Sequence, residues 1–293
     1  MRVSTAPPTI AELILDALRS AAAEVAATEA AALADEPDGV HQHRVRVRRL
    51  RSVLAGFRPL LEREPVDLLR VLFHEWGSEL GIVRDIEVRA AVAEDAIERS
   101  GVDDPRVVRR LVESERRDYA AAHARLVELA GSPRSVERAR LLREFVAAPT
   151  VVAEDADAAP LVAVVLRAQA RRVRKAVRRL DASEESYHDV RKAARRMRYV
   201  AEAIAASAPG LYPDEVADLA EAGDSLHDAL GGHRDAVLFA ESVARSAVHA
   251  ERAGEPIEDY GRVEARAREE AAEHLVELPR ALQKLRRAAS TLR

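Results

Sequence analysis

At 293 residues the chain holds enough material for one large domain or two ordinary ones, and 48% hydrophobic residues supply a sizeable core. Only 3% of residues are aromatic, so Ala, Val and Leu must fill that core, which suits close helix packing better than sheets. Cysteine is absent, which excludes disulfides, iron–sulfur clusters and thiolate zinc sites, and the net charge is only −4 although 33% of residues are charged.

Nearly every segment has helical period and none sustains strand alternation, so an all-α fold is expected. Residues 1–8 contain no apolar run resembling a signal peptide. No stretch reaches the roughly 18 uncharged apolar residues of a membrane helix. A soluble, cytoplasmic chain with no membrane partner is expected. Thr9-Ile10-Ala11-Glu12 reads as a capping box that opens a helix to about residue 33. Pro37-Asp38-Gly39 breaks the chain, and Asp38 is placed to cap a basic helix over 40–58. Helices over 66–79, 82–99, 104–129 and 135–146 follow, with Pro105 well placed in the first turn of its helix. Residues 147–159 form the expected connector. The second half reads as helices over 161–180, 186–208, 214–230 and 234–253, then a long element from 257 that Pro279 kinks or restarts.

Charge is segregated along these elements. Residues 40–61 carry six arginines and no acid, residues 167–198 carry twelve Lys/Arg against four acids, and residues 203–241 carry eight acids against Arg234 alone. A neutral average therefore hides a local positive field.

Within the basic segments one pattern occurs twice. His41, Arg44, Arg48, Arg49 and Arg51 return 147 residues later as His188, Arg191, Arg195, Arg196 and Arg198, both copies reading H-x-x-R-x-x-x-R-R-[apolar]-R. At about 100° per residue, His41, Arg44, Arg48 and Arg51 fall in roughly one quadrant of a helix, and Val40, Val47, Leu50 and Leu54 gather on a different side. His188, Arg191, Arg195 and Arg198 repeat that geometry. Leu80-Gly81-Ile82-Val83-Arg84-Asp85 likewise returns as Leu230-Gly231-Gly232-His233-Arg234-Asp235. Each copy is expected to stop and restart a helix, with glycine at the C-cap and Asp in the next first turn. Asp85 and Asp235 are also placed to orient stripe arginines. Duplication of a roughly four-helix unit is the economical reading.

An arginine row suits closely spaced phosphates, because guanidinium stays charged and offers paired N–H donors. Two stripes on one groove would neutralise many phosphates and release their counterions. The plain alternative pairs these arginines with the acidic helix carrying Asp214, Glu215, Asp218, Glu221, Asp224 and Asp228; recurrence of the stripe in the same phase argues against it. His74 and His227 are secondary candidates beside the stripes, with structural or exposed roles as the alternative. Arg171, Arg174, Lys175 and Arg178 share a helix face and form a second anion contact or a solvated face. No metal-ligand set, cofactor motif, nucleotide cradle or carboxylate cluster for Mg²⁺ accompanies the stripes, so neither metal, cofactor nor catalysis is expected. His41 and His43 point to different helix sides. Trp76, Phe73 and Phe57 are too scattered for a base-stacking platform and read as core.

The paired motifs, each followed by its Leu-Gly-x-x-Arg-Asp element, resemble the CHAD domain, the conserved histidine α-helical domain, over about residues 9–292. The resemblance implies a single, stand-alone all-α domain of two pseudo-symmetric four-helix bundles, one over 9–148 and one over 160–292. It also implies a basic surface that binds inorganic polyphosphate. By motif position the anion contacts fall on His41, Arg44, Arg48, Arg49, Arg51, His188, Arg191, Arg195, Arg196 and Arg198. Many family members carry a fused triphosphate-tunnel enzyme domain; these residues contain none, so no catalytic role carries over. A non-catalytic polyphosphate binder, with polyphosphate granules as a destination, is therefore expected. The rival readings are a binder of nucleic-acid backbone, a polyphosphate-processing enzyme and a structural helical adaptor. The pI of about 6.2, the acidic segments and the few aromatics disfavour nucleic acid. Oligomeric state and the continuity of the two stripes are left to tertiary structure.

Overall fold

The computed structural model describes residues 8–291, and its elements are helices. Residues 1–7 and Leu292, the expected end of the second repeat, lie outside the described residues. The first half comprises α1 (Ile10–Leu33), α2 (Gly39–Phe57), a 3₁₀ turn (Arg58–Leu60), α3 (Arg63–Ser100), α4 (Pro105–Val108), a π turn (Arg109–Glu113), α5 (Ser114–Ala130) and α6 (Pro133–Ala147). The second half comprises α7 (Ala158–Val177), α8 (Glu184–Ser207), α9 (Pro213–Arg252), α10 (Glu258–Leu275) and α11 (Leu278–Thr291).

Local chemistry explains most of the boundaries. The capping box forms as expected: the Glu12 N–H donates to Thr9 Oγ1 at 3.2 Å, and the Thr9 N–H donates to the Glu12 carboxylate at 2.9 Å. Pro105 opens α4, and Pro279 sits in the first turn of α11, so the chain restarts there. Asp38 corrects an expectation. It precedes α2 in a left-handed conformation, and its carboxylate accepts from Gln42 Nε2 at 2.6 Å instead of capping a backbone N–H.

The larger correction concerns the glycine elements. Helices α3 and α9 run unbroken for 38 and 40 residues through Leu80-Gly81 and Leu230-Gly231-Gly232. A glycine inside a helix costs about 1 kcal/mol relative to alanine, yet these do not end it. Gly81 and Gly231 each lie against another helix's arginine, and Gly232 lies against the His274 ring of α10. A Cβ on Gly81 would meet Arg44 Nη2 at 3.4 Å, and one on Gly231 would meet Arg191 Nη2 at 3.2 Å. The missing side chains make room for guanidinium, one in each half.

The hydrophobic cores do not follow the two halves. One core draws on α1, α2, α6, α7, α8, α11 and the first parts of α3 and α9, from Ile10 through Leu230 to Ala288. A second, smaller core joins the far ends of α3 and α9 to α10, the π turn and residues around it, with Phe239 and Tyr260 at its centre. The expected connector is also part of the fold. The Ile10 N–H donates to the Ala156 carbonyl at 2.9 Å, the Glu62 N–H to Thr150 at 3.0 Å and the Val152 N–H to Leu60 at 2.9 Å. Val151 is itself buried in the main core. Cutting between the halves would therefore expose apolar surface on both sides.

Candidate anion-binding site

Helices α2 and α8 pack directly against each other. Gly56 lies against Val200, and Arg196 donates to the carbonyl of Ala55. The glycine at position 56 lets the two backbones approach, so the stripes carried upstream on both helices meet. Helix α9 approaches α8 just as closely: a Cβ on Gly223 would lie 2.8 Å from the Ala194 carbonyl oxygen. One continuous cationic centre results, built from Arg44 and Arg48 on α2 and Arg191 and Arg195 on α8.

The electrostatics of that centre are unusual. Arg48, Arg191 and Arg195 make neither an ion pair nor a side-chain hydrogen bond to any described residue, and the Nε atoms of Arg48 and Arg191 are buried without a partner. Burial lowers the Arg48 guanidinium to about 10, with the field of Arg44, Arg191 and Arg84 adding to it against Tyr199. Burial lowers Arg195 to about 9, helped by Arg48, Arg191 and Arg44. Arg191 is lowered by burial, with Asp235 opposing. These side chains remain charged at neutral pH, so like charge is concentrated in partly desolvated space.

The two histidines occupy matching places at the start of each stripe. His41 is held below its ordinary range by burial and then by Arg84; His188 is lowered by burial and then by Arg234. His188 Nδ1 is buried without a partner. Asp85 pairs with Arg44 at 3.2 Å. Asp235 lies in the field of Arg191 and is pushed up chiefly by burial. The Leu-Gly-x-x-Arg-Asp elements thus bring Arg84 and Arg234 to the stripes, two residues that stripe periodicity did not single out. Their sequence signal was the arginine inside each repeated element, which reads equally well as helix punctuation.

At the other end the two stripes differ. Arg51 donates to His74 Nδ1 at 2.9 Å and lies beside Arg70, whereas Arg198 is held by Glu202 at 2.7 Å and by Asp224. His227 is buried beside Arg191 and Arg195, lowered to about 3 by desolvation and then by those cations, and its Nε2 has no partner. Arg49 leaves the group: it lies 3.8 Å from both Glu24 and Glu202. His43, on another side of α2 from His41, is a core residue. It accepts from Trp76 Nε1 at 3.0 Å and contacts Thr28 Oγ1 at 2.9 Å, and burial lowers it to about 4. Trp76, Phe73 and Phe57 are buried, as expected of core.

Two clefts open from this surface. One of about 520 Å³ is lined by Arg48, Arg51, Arg70, His74, Lys192, Arg195 and Arg196, with Asp67 held by Arg58 and Arg70. The other, of about 570 Å³, lies between α7 and α8 and includes Arg172, Lys175, Arg179, Lys192 and Arg196. Of the α7 candidates only Lys175 lines it; Arg171, Arg174 and Arg178 lie on the exposed face. Among the described residues no group of three His, Asp or Glu is arranged to hold a metal ion, and no helix is long and apolar enough to cross a membrane.

The family model for the CHAD domain matches residues 16–244. Two curated proteins of Mycobacterium tuberculosis, Uncharacterized protein MT2285 and Uncharacterized protein Rv2226, are each 30% identical over 272 residues, or 89% of this chain. The chain spans about half the length of these relatives, with 50% of each covered. Among solved structures, PptA from Streptomyces chartreusis superposes with a TM-score of 0.74 at 21% identity, covering 94% of this chain and 99% of that one. The CHAD domain from the plant Ricinus communis superposes with a TM-score of 0.72 at 23% identity, covering 98% of this chain and 94% of that one. Both likenesses concern the all-α fold.

Proposed function

The chain belongs to the CHAD domain family, and from that membership and its facing arginine rows we propose that it binds inorganic polyphosphate without transforming it. The observation that carries this reading is the cluster of Arg48, Arg191 and Arg195, brought together with no carboxylate bonded to any of them. Confining like charges in desolvated space is costly, and a polyanion lying among them removes that cost. Guanidinium groups on two packed helices present clustered N–H donors, which matches a flexible chain of phosphates. A rigid duplex would have to pass the carboxylates of Asp85, Asp228 and Asp235 and would find no exposed aromatic platform. In this reading the chain operates in the cytoplasm, with polyphosphate granules as its site of action. Its part is retention or recruitment, and the longer relatives leave room for further activities outside these residues.

Calorimetric titration with long-chain polyphosphate tests the proposal. Binding with a dissociation constant of roughly 0.1–10 µM is expected, weakening steeply with added salt and unchanged by chelator. Equal affinity for single-stranded DNA or RNA of matched charge overturns polyphosphate selectivity. Release of orthophosphate on incubation with Mg²⁺ overturns the non-catalytic role.

A further inference from the structure

Three of the four stripe ends carry carboxylates and one does not. Asp85 and Asp235 stand at the end marked by His41 and His188, and Glu202, Asp224 and Asp228 stand around Arg198, where they repel an emerging polyanion. The Arg51 end opens instead into the cleft beside Arg70 and His74. From that cleft a cationic way out leads sideways, over α8. The cleft containing Arg48 and Arg195 shares Lys192 and Arg196 with the cleft between α7 and α8, so the two open onto the same pair of cations.

Resting on the polyphosphate reading, we infer that a long bound chain leaves the central groove over Lys192 and Arg196 and continues along the α7–α8 cleft, where Arg172, Lys175 and Arg179 hold further phosphates. Arg172 and Lys175 share a face of α7, Arg179 lies in the turn that follows it, and all three line the cleft. All three are exposed and form no ion pair with any described residue. Arg196 joins the two clefts physically. Its guanidinium is anchored on the Ala55 carbonyl while its Nε is buried without a partner. After burial, Arg172 on one side and Arg70 on the other are what lower it, to about 10. The cleft also contains three acids. Asp189 is engaged by Lys192 at 2.9 Å, and Asp181 accepts from the Ser183 backbone at 3.0 Å and hydroxyl at 2.6 Å. Of these acids Glu185 alone has no partner among the described residues, against the three cations Arg172, Lys175 and Arg179.

The cleft is therefore an extension used by long chains and not by short ones. Titrations of full-length protein with tripolyphosphate and with long-chain polyphosphate separate the two. Arg172→Ala/Arg179→Ala is expected to weaken long-chain binding about fivefold and to reduce its salt dependence by roughly two counterions, leaving tripolyphosphate affinity unchanged. Arg286→Ala/Arg287→Ala, which removes the same charge from exposed α11, is expected to change neither. Long-chain affinity equal to wild type in the first variant overturns the extension, as does an equal loss in the α11 variant. Failure of the wild type to bind either ligand overturns the polyphosphate reading and the extension together, so the two failures are distinguishable.

Discussion

Arg51 and Arg198 hold the same position in their helices, 147 residues apart, but they meet different partners. Arg51 bonds to the His74 imidazole, beside Arg70, and borders an open cationic cleft. Arg198 is clamped between Glu202 and Asp224. His74 and Asp224 occupy corresponding places on α3 and α9, offset by the same 150 residues as the two Leu-Gly elements. Two differences, His74 against Asp224 and Ala55 against Glu202, separate a cation that offers its charge outward from one whose charge is spent within the protein. The recurring motif thus contributes both copies to one centre, while their far ends meet different partners.

The comparison can be broken most forcefully at the shared centre. Arg48→Met/Arg195→Met should reduce polyphosphate affinity at least about 100-fold in calorimetry and raise the Tm of the ligand-free protein by roughly 2–4 °C, because buried like charge is replaced by apolar volume. A lower Tm would mean that contacts other than a bound anion hold these arginines. The divergent ends come next. Arg51→Ala should weaken binding about tenfold and Arg198→Ala less than about twofold, since the second charge is already neutralised. The exchange His74→Asp should bring the first end down to the level of Arg51→Ala, and equal losses at Arg51 and Arg198 would erase the distinction.

The histidines that open the stripes give a smaller effect. Burial and neighbouring arginines hold His41 and His188 below their ordinary values, so both are largely neutral at pH 7. A bound polyanion favours their protonated forms, so binding takes up protons and affinity should rise about threefold between pH 7.5 and 6. His41→Ala/His188→Ala should flatten that slope; an unchanged slope would assign the proton uptake elsewhere. His43 should leave affinity untouched and act on stability alone. Its imidazole titrates at about 4 in the folded protein and near the ordinary 6.5 when unfolded. The unfolded chain therefore binds the proton more readily. The stabilisation is complete above about pH 6.5 and is lost as pH falls towards 4, by roughly 3 kcal/mol in all. Urea titrations at pH 7 and pH 4 should show a smaller difference for His43→Gln than for wild type.

Much of this was legible from residue order. The helical period fixed the all-α class, and the repeated H-x-x-R-x-x-x-R-R pattern located both basic helices. Helix phase separated His41 from His43, which proved to be packed between Thr28 and Trp76. Other features were not legible for identifiable reasons. Glycine in Leu80-Gly81 carries the same letter whether it ends a helix or admits a neighbouring guanidinium, and only the position of Arg44 distinguishes the two. The cations that line a cleft beside α7 are Arg172 and Lys175 on the helix and Arg179 in the turn after it; of the neighbouring set with Arg171 only Lys175 is among them, and packing against α8 made the choice. Arg49 fits the motif yet lies against Glu24 and Glu202, which local spacing could not bring near it.

Sequence alone determined which helices are basic, which of their faces are apolar and that the pattern occurs twice, because periodicity along one helix is a local property. Tertiary structure decided that the two stripes form one centre. That outcome depends on the close approach of α2 and α8 at Gly56 and Val200 and of α8 and α9 at Gly223, contacts between residues more than a hundred positions apart in the first case. It also decided which arginines keep their charge available, because a carboxylate neutralises a guanidinium only where the fold brings the two together.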